Sequence, residues 1–112
     1  MTQARPGVLA TAVLLSAACG VLTPEEQLLT RFFEASRLHD TTRASTMSAV
    51  TFNPRTDGVV RDFDIVAVSG DGQTEALTVN ASIASPDGAL VRRTLLVTLQ
   101  RRDGRWFIAA ME

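Results

Sequence analysis

Ten residues, EALTVNASIA at positions 75–84, constrain this chain more than any others. Leu77, Val79, Ala81 and Ile83 occupy every second position, with Thr78, Asn80 and Ser82 between them. Successive side chains on a strand point to opposite faces, so this run is a strand with one apolar and one polar face. SGDGQ before it and SPDG after it are turn sequences. The same period holds over 59–68, where Phe63, Ile65 and Ala67 alternate with Asp62, Asp64 and Val66. It holds again over 90–101, where Val91, Leu95, Val97 and Leu99 share a face. RDG then turns the chain into a last strand over 105–111. Asp-Gly between two such runs is a strong hairpin signal. Four antiparallel strands with one apolar face need a cover.

TPEEQLLTRFFEASRLHD supplies that cover. Thr23 is a good N-cap, Pro24 suits the first helical position, and Glu26 completes a capping box. Glu25 and Glu26 favour the positive end of the helix dipole. Leu28, Leu29, Phe32, Phe33 and Ala35 recur at helical spacing, while Arg31, Glu34 and Arg37 fall on the polar side. Asp40 is placed to cap a second short helix over 41–49, and FNPRTDG reads as a loop. The predicted fold is therefore α+β: an N-terminal helix and a short second helix packed on a four-stranded antiparallel sheet.

Ahead of this domain, MTQARPGVLATAVLLSAACG reads as a secretory signal. Arg5 and the amino terminus are positive, residues 8–15 are apolar, and Ser16, Ala17 and Ala18 are small. The apolar stretch over 7–22 is shorter than the roughly 20 residues of a usual membrane-spanning helix. LSAAC resembles the lipobox of bacterial lipoproteins, with Ala18 and Cys19 on its pattern and Ser16 where Leu is usual. The resemblance implies a signal over 1–18, lipid attachment at Cys19, a short tether over 19–23 and a single domain over 24–112. It makes the membrane a partner, reached through Cys19, and places the domain in the cell envelope, facing the periplasm. Gly20 stands where an Asp would imply retention in the inner membrane, so in a Gram-negative cell the resemblance favours the outer membrane. Three other readings stay open: an uncleaved short anchor, ordinary signal cleavage nearby, and a core or catalytic thiol.

Composition removes several function classes. The net charge of −1 makes no electrostatic case for nucleic acid. One cysteine excludes an intrachain disulfide and any multi-cysteine metal site. His39 is the only histidine and tyrosine is absent. No cofactor is implied.

The element order also resembles the nuclear-transport-factor-2-like superfamily, which has a cystatin-like fold and includes polyketide-cyclase-like (SnoaL-like) and ketosteroid-isomerase-like proteins. The resemblance rests on EEQLLTRFFEASRLHDTTRASTM, FDIVAVSGDGQTEALTVNASI and LLVTLQRRDGRWFIAAME, and DGRWFIAAME looks like that superfamily's last hairpin, with Trp106 and Phe107 on opposite faces. It implies a conical cavity, reduced or open at one end in so short a chain. Phe32, Ala35, His39, Phe63, Ile65, Val79, Leu95 and Val97 are the candidate lining of that cavity, or of a core in its place.

Candidate chemistry is thin. On a helical wheel His39 falls with Leu28, Phe32 and Ala35, where it could serve as a general acid or base. The plainer reading is a helix-end histidine bonded to nearby carbonyls. Asp62 and Asp64 share one strand face, and the apolar residues between and beside them send that face to solvent. Arg92, Arg93, Arg101, Arg102 and Arg105 are near the last hairpin in sequence, either as a basic patch for an acidic partner or headgroup, or as a solvated face. The leading expectation is an envelope protein that binds a small apolar ligand or a protein partner without catalysis. A cavity enzyme using His39 and a structural component of an envelope assembly are the alternatives.

Overall fold

The computed structural model describes residues 22–112. The predicted signal, Cys19 and most of the tether lie outside the described residues. In chain order the elements are α1 (Pro24–Arg37), α2 (Thr41–Ser45), β1 (Val59–Gly70), β2 (Thr74–Ala84), β3 (Leu90–Arg102) and β4 (Arg105–Met111). The strands form one antiparallel meander in the order β1-β2-β3-β4. This is the expected α+β class. Among the described residues no helix is long and apolar enough to cross a membrane.

The start of α1 follows its local sequence. The Glu26 amide donates to the Thr23 hydroxyl at 3.1 Å, and the Thr23 amide donates to the Glu26 carboxylate at 2.9 Å. This reciprocal box satisfies two amides that the first turn would otherwise leave open. The end of α1 is set by backbone geometry. The His39 amide donates to the Ser36 carbonyl at 3.0 Å and the Asp40 amide to the Ala35 carbonyl at 2.8 Å. His39 itself has φ 58. These bonds form a Schellman motif with histidine in the left-handed position usually held by glycine.

Antiparallel partners share a face, so the register fixes what the helix covers. On the inner face Ile65, Val79 and Leu95 lie in one row, and Leu77 opposes Val97 in the next. Leu29, Phe32 and Phe33 of α1 pack onto these rows, with Leu99 and Ile108 completing the core. The Phe33 ring meets the Phe32, Phe52 and Phe63 rings at 5.6 Å each, tilted or edge-on. That geometry suits the quadrupoles of aromatic rings.

Three sequence expectations shift. The second helix stops at Ser45 rather than running to residue 49. Residues 47–49 instead bond to β4: the Ala49 amide donates to the Ile108 carbonyl at 2.9 Å and the Ile108 amide to the Met47 carbonyl at 2.8 Å. The short polar helix buries no residue of its own, so the edge of β4 outcompetes its last turn. Ala67 does not share a face with Phe63 and Ile65. A register shift between Ile65 and Ala67 leaves Val66 as the extra residue and sends Ala67 to the outer face opposite Thr78. Val91 keeps the parity of Leu95 but is 42% exposed, although its cross-strand partner Ile83 is buried.

Two turns need their glycines. Asp103 (φ 51) and Gly104 (φ 78) form the two-residue β3–β4 hairpin loop that Asp-Gly predicts. Gly58 has φ 89, and a Cβ there would sit 2.6 Å from the Ala84 carbonyl oxygen, so the loop into β1 can close only over glycine.

Candidate functional site

Of the clefts that flank α1 among the described residues, two differ sharply in chemistry; a third, about 400 Å³, lies between Leu22, Glu26, Phe33 and Arg37 and the Val60–Phe63 stretch of β1. The first lies at the C-terminal half of the helix, where residues 40–54 fold back over Phe32, Ala35 and Ser36. Its volume is about 260 Å³ and His39 stands on its rim. Several polar groups around it are already engaged. The Ser36 hydroxyl donates to the Phe52 carbonyl, the Asp40 carboxylate accepts from the Arg43 amide, and the Ser48 hydroxyl bonds both backbone groups of Val50. His39 is exposed, outside α1, so the wheel that aligned it with Leu28, Phe32 and Ala35 does not extend to it. It occupies the cleft mouth rather than the apolar face, because the chain leaves the helical path at Leu38.

The other candidate lining residues are core. Phe32, Ala35 and Val79 are fully buried, as are Leu95 and Val97 to within 1%. Phe63 and Ile65 are half-buried against them. Of these seven, only Phe32 and Ala35 also line the apolar cleft. Asp62 and Asp64 are exposed on the outer sheet face opposite Ser82 and Asn80. They face away from α1, as the alternation predicts.

The second cleft lies at the N-terminal half of α1. It has a volume of about 550 Å³ and runs between Pro24, Leu28 and Arg31, the Thr46–Met47 segment and the β3–β4 hairpin. Arg101, Arg102 and Arg105 contribute from the hairpin, together with Asp103. The Arg101 guanidinium lies 4.1 Å over the Trp106 ring, and that of Arg102 lies 4.0 Å over Phe107. Arg101 also donates to the carbonyls of Gly72 at 3.1 Å and Gly104 at 3.2 Å. Trp106 opposes Arg101, whereas Phe107 opposes Gln100, which places the two aromatics on opposite faces. The arginines do not form one group. Arg92 and Arg93 oppose Ser82 and Ala81, on the order of 30 Å along β3 from Arg102 at the usual strand rise. Arg92 instead donates to the Ser82 hydroxyl at 3.0 Å.

Beside Arg101 lies a carboxylate pair that sequence reasoning passed over. Glu75 is the second residue of β2 and opposes Leu99 on the inner face. Its Oε1 is shielded from solvent without a hydrogen-bond partner among the described residues. Burial pushes its carboxyl up to about 7; a hydrogen bond and like charge from Glu25 add to the shift, and Arg101 opposes it. Glu75 therefore keeps its proton to a higher pH than an ordinary carboxyl, up to about 7. The signal was present in EALTV, where Glu75 has the parity of Leu77 and Val79. The partner on the helix was not, because Glu25 reads locally as a first-turn acid.

Compared with known proteins, the chain matches no family model, and no curated protein or solved structure matches it significantly.

Proposed function

We propose that this chain is a lipid-anchored protein of the bacterial envelope whose α+β domain binds an apolar group without catalysing a reaction. LSAAC, four residues ahead of the Thr23 cap, supports the anchor. The observation that carries the binding reading is the filled inner face. Beneath α1, Leu29, Phe32, Leu77, Val79, Leu95 and Val97 are at 0–1% exposure, so among the described residues this face is packed as a core. The opening at Phe32, Ala35 and His39, about 260 Å³, is slightly under the usual roughly 300–1,000 Å³ of drug-sized ligand pockets. It fits one acyl or aromatic fragment, from a small ligand or from a side chain of an envelope protein. The element order further supports a cystatin-like domain of the nuclear-transport-factor-2-like kind, a superfamily in which fold does not set function.

Mass spectrometry of the mature N-terminus tests the anchor: an acylated Cys19 is expected, and an unmodified Cys19 or a start elsewhere overturns it. Crosslinking in intact cells tests the cleft. Ala49→Trp, on its wall, is expected to abolish capture of the ligand or partner, and undiminished capture overturns the assignment. His39 on the rim favours a second reading, a cavity enzyme with an imidazole base. That reading requires His39→Ala to abolish turnover of whatever ligand is captured.

A further inference from the structure

We propose that the arginine-lined cleft at the start of α1 seats the anionic phospholipid headgroups of the bilayer to which the chain is fastened, with Trp106 at the lipid–water boundary. This rests on the lipid-anchor reading and gives the anchored domain a defined orientation.

Charge complementarity carries the argument. The whole chain has a net charge of −1, so attraction to an anionic surface must come from a local cluster. Four guanidinium groups, Arg31, Arg101, Arg102 and Arg105, line this cleft against one carboxylate, Asp103. Among the described residues the ion pair formed is Arg43–Glu34, so none of the four is matched at ion-pairing distance. Glu75, which faces both Glu25 and Arg101, keeps its proton up to about 7, so at this end of the cleft the offset comes from Glu25, and Asp103 offsets one charge more. Arg31, Arg102 and Arg105 face the cleft with a net excess of positive charge left for a ligand. Guanidinium forks suit phosphate oxygens, and stacking on Trp106 and Phe107 holds two of them in place before a ligand arrives. An indole beside arginines is the side-chain pairing favoured at a membrane interface, where one end is apolar and the other wet.

The path of the chain agrees with this orientation. Pro24 lines the cleft, and Leu22, the first described residue, is exposed two positions earlier. Cys19 is three residues before Leu22, a reach of about 10 Å when extended. An acyl chain on Cys19 therefore brings the bilayer to this end of the domain. The apolar cleft, at the other end of α1, is left facing away from the membrane.

Trp106 is the chain's only tryptophan, so its fluorescence reports this cleft alone. The full chain, purified from membranes, is reconstituted in vesicles of phosphatidylcholine with and without about one-third phosphatidylglycerol. Phosphatidylglycerol is expected to shift Trp106 emission to shorter wavelength and to expose it to quenching by brominated lipid. Both effects should fade as salt is raised, since screening weakens exposed charges. The combined variant R31Q/R102Q/R105Q should weaken the response roughly fivefold per arginine removed, with only a small fall in thermal unfolding temperature from the lost Arg102–Phe107 stacking. Among the described residues the side chains of those three make no hydrogen bond to the hairpin backbone, unlike Arg101, and Arg102 bonds the Gln100 side chain at 3.3 Å. The salt series needs no variant and stands if that one misfolds. Emission indifferent to phosphatidylglycerol would overturn the proposal, as would an equal shift with inorganic phosphate alone. Trp106 protected only in crosslinked complexes from intact cells would assign the cleft to an acidic protein instead. The mass of the N-terminus reads the anchor separately. An acylated chain with unresponsive Trp106 defeats this inference alone, and an unacylated chain defeats the anchor whatever Trp106 does.

Discussion

The two ends of α1 are built by opposite means. Its start is a reciprocal side-chain box, Thr23 with Glu26, reinforced by Pro24. Its end is a backbone motif that places His39 at φ 58. Beside the start lie the arginine cleft and the Glu25–Glu75 pair; beside the end lies the apolar cleft. A side-chain cap is a local device that closes the first turn without redirecting the chain. A Schellman ending redirects the chain, and here that turn folds residues 40–54 back to wall a cleft.

Four measurements sharpen or break this contrast. The largest effect is expected from Phe32→Ala, which empties the floor of the apolar cleft and the middle of the core at once. A loss of about 3–5 kcal/mol in denaturant unfolding is expected. A loss below about 1 kcal/mol would show that the cleft floor is not part of the core.

The next effect is a pH dependence confined to the charged end. Glu75 keeps its proton to about 7 in the folded chain, against 4.5 as its ordinary value. Between those values the unfolded chain releases a proton that the folded chain retains. The contribution of Glu75 to stability is therefore full below about 4.5 and is lost as pH rises through about 7. Glu75→Gln should flatten that stretch of a Tm-against-pH curve, and an unaltered slope would remove the carboxylate pair as its cause. Asp71 and Asp87 act in the opposite sense. Backbone amides of Gln73 and Thr74 lower Asp71, and the Ser85 hydroxyl and Ala89 amide lower Asp87. Their contributions are present above the ordinary value of 3.8 and fall away below it, so the two windows do not overlap.

Thr23→Ala is expected to lower stability by about 1 kcal/mol, the usual worth of a side-chain cap. Under the same conditions His39→Gly should raise stability by about 0.5–1 kcal/mol, because glycine adopts the left-handed conformation without a Cβ penalty. If His39→Gly destabilises the domain, the imidazole makes a contact that outweighs its strained backbone. If it stabilises the domain yet abolishes crosslinked capture, the histidine is kept at the cleft for binding.

The architecture was legible from short-range patterns. The alternation over 75–84 set the second strand and its inner face, Asp-Gly set the last hairpin, and Thr23-Pro24 with Glu26 set the start of α1. The candidate sites were less legible, and particular residues show why. His39 was placed by continuing a helical wheel two residues past the end of the helix. Ala67 was placed by continuing a strict alternation through a bulge. The arginines were grouped by nearness in sequence, although an extended strand carries Arg92 far from Arg102. In each case a local period was extended beyond the point where the backbone changes course.

By itself, the sequence determined the element order, the faces of the strands and the caps, because these follow from side-chain periodicity and turn chemistry over a few residues. It also carries LSAAC, on which the proposed anchor rests. Only the tertiary structure decided which faces meet. It set Glu25 against Glu75 across 50 residues of chain, brought Arg31 to the hairpin arginines, and filled the space beneath α1 with Leu29 and Phe32. A carboxyl's proton affinity and a cleft's charge depend on neighbours distant in sequence, and those neighbours exist only once the helix has packed on the sheet.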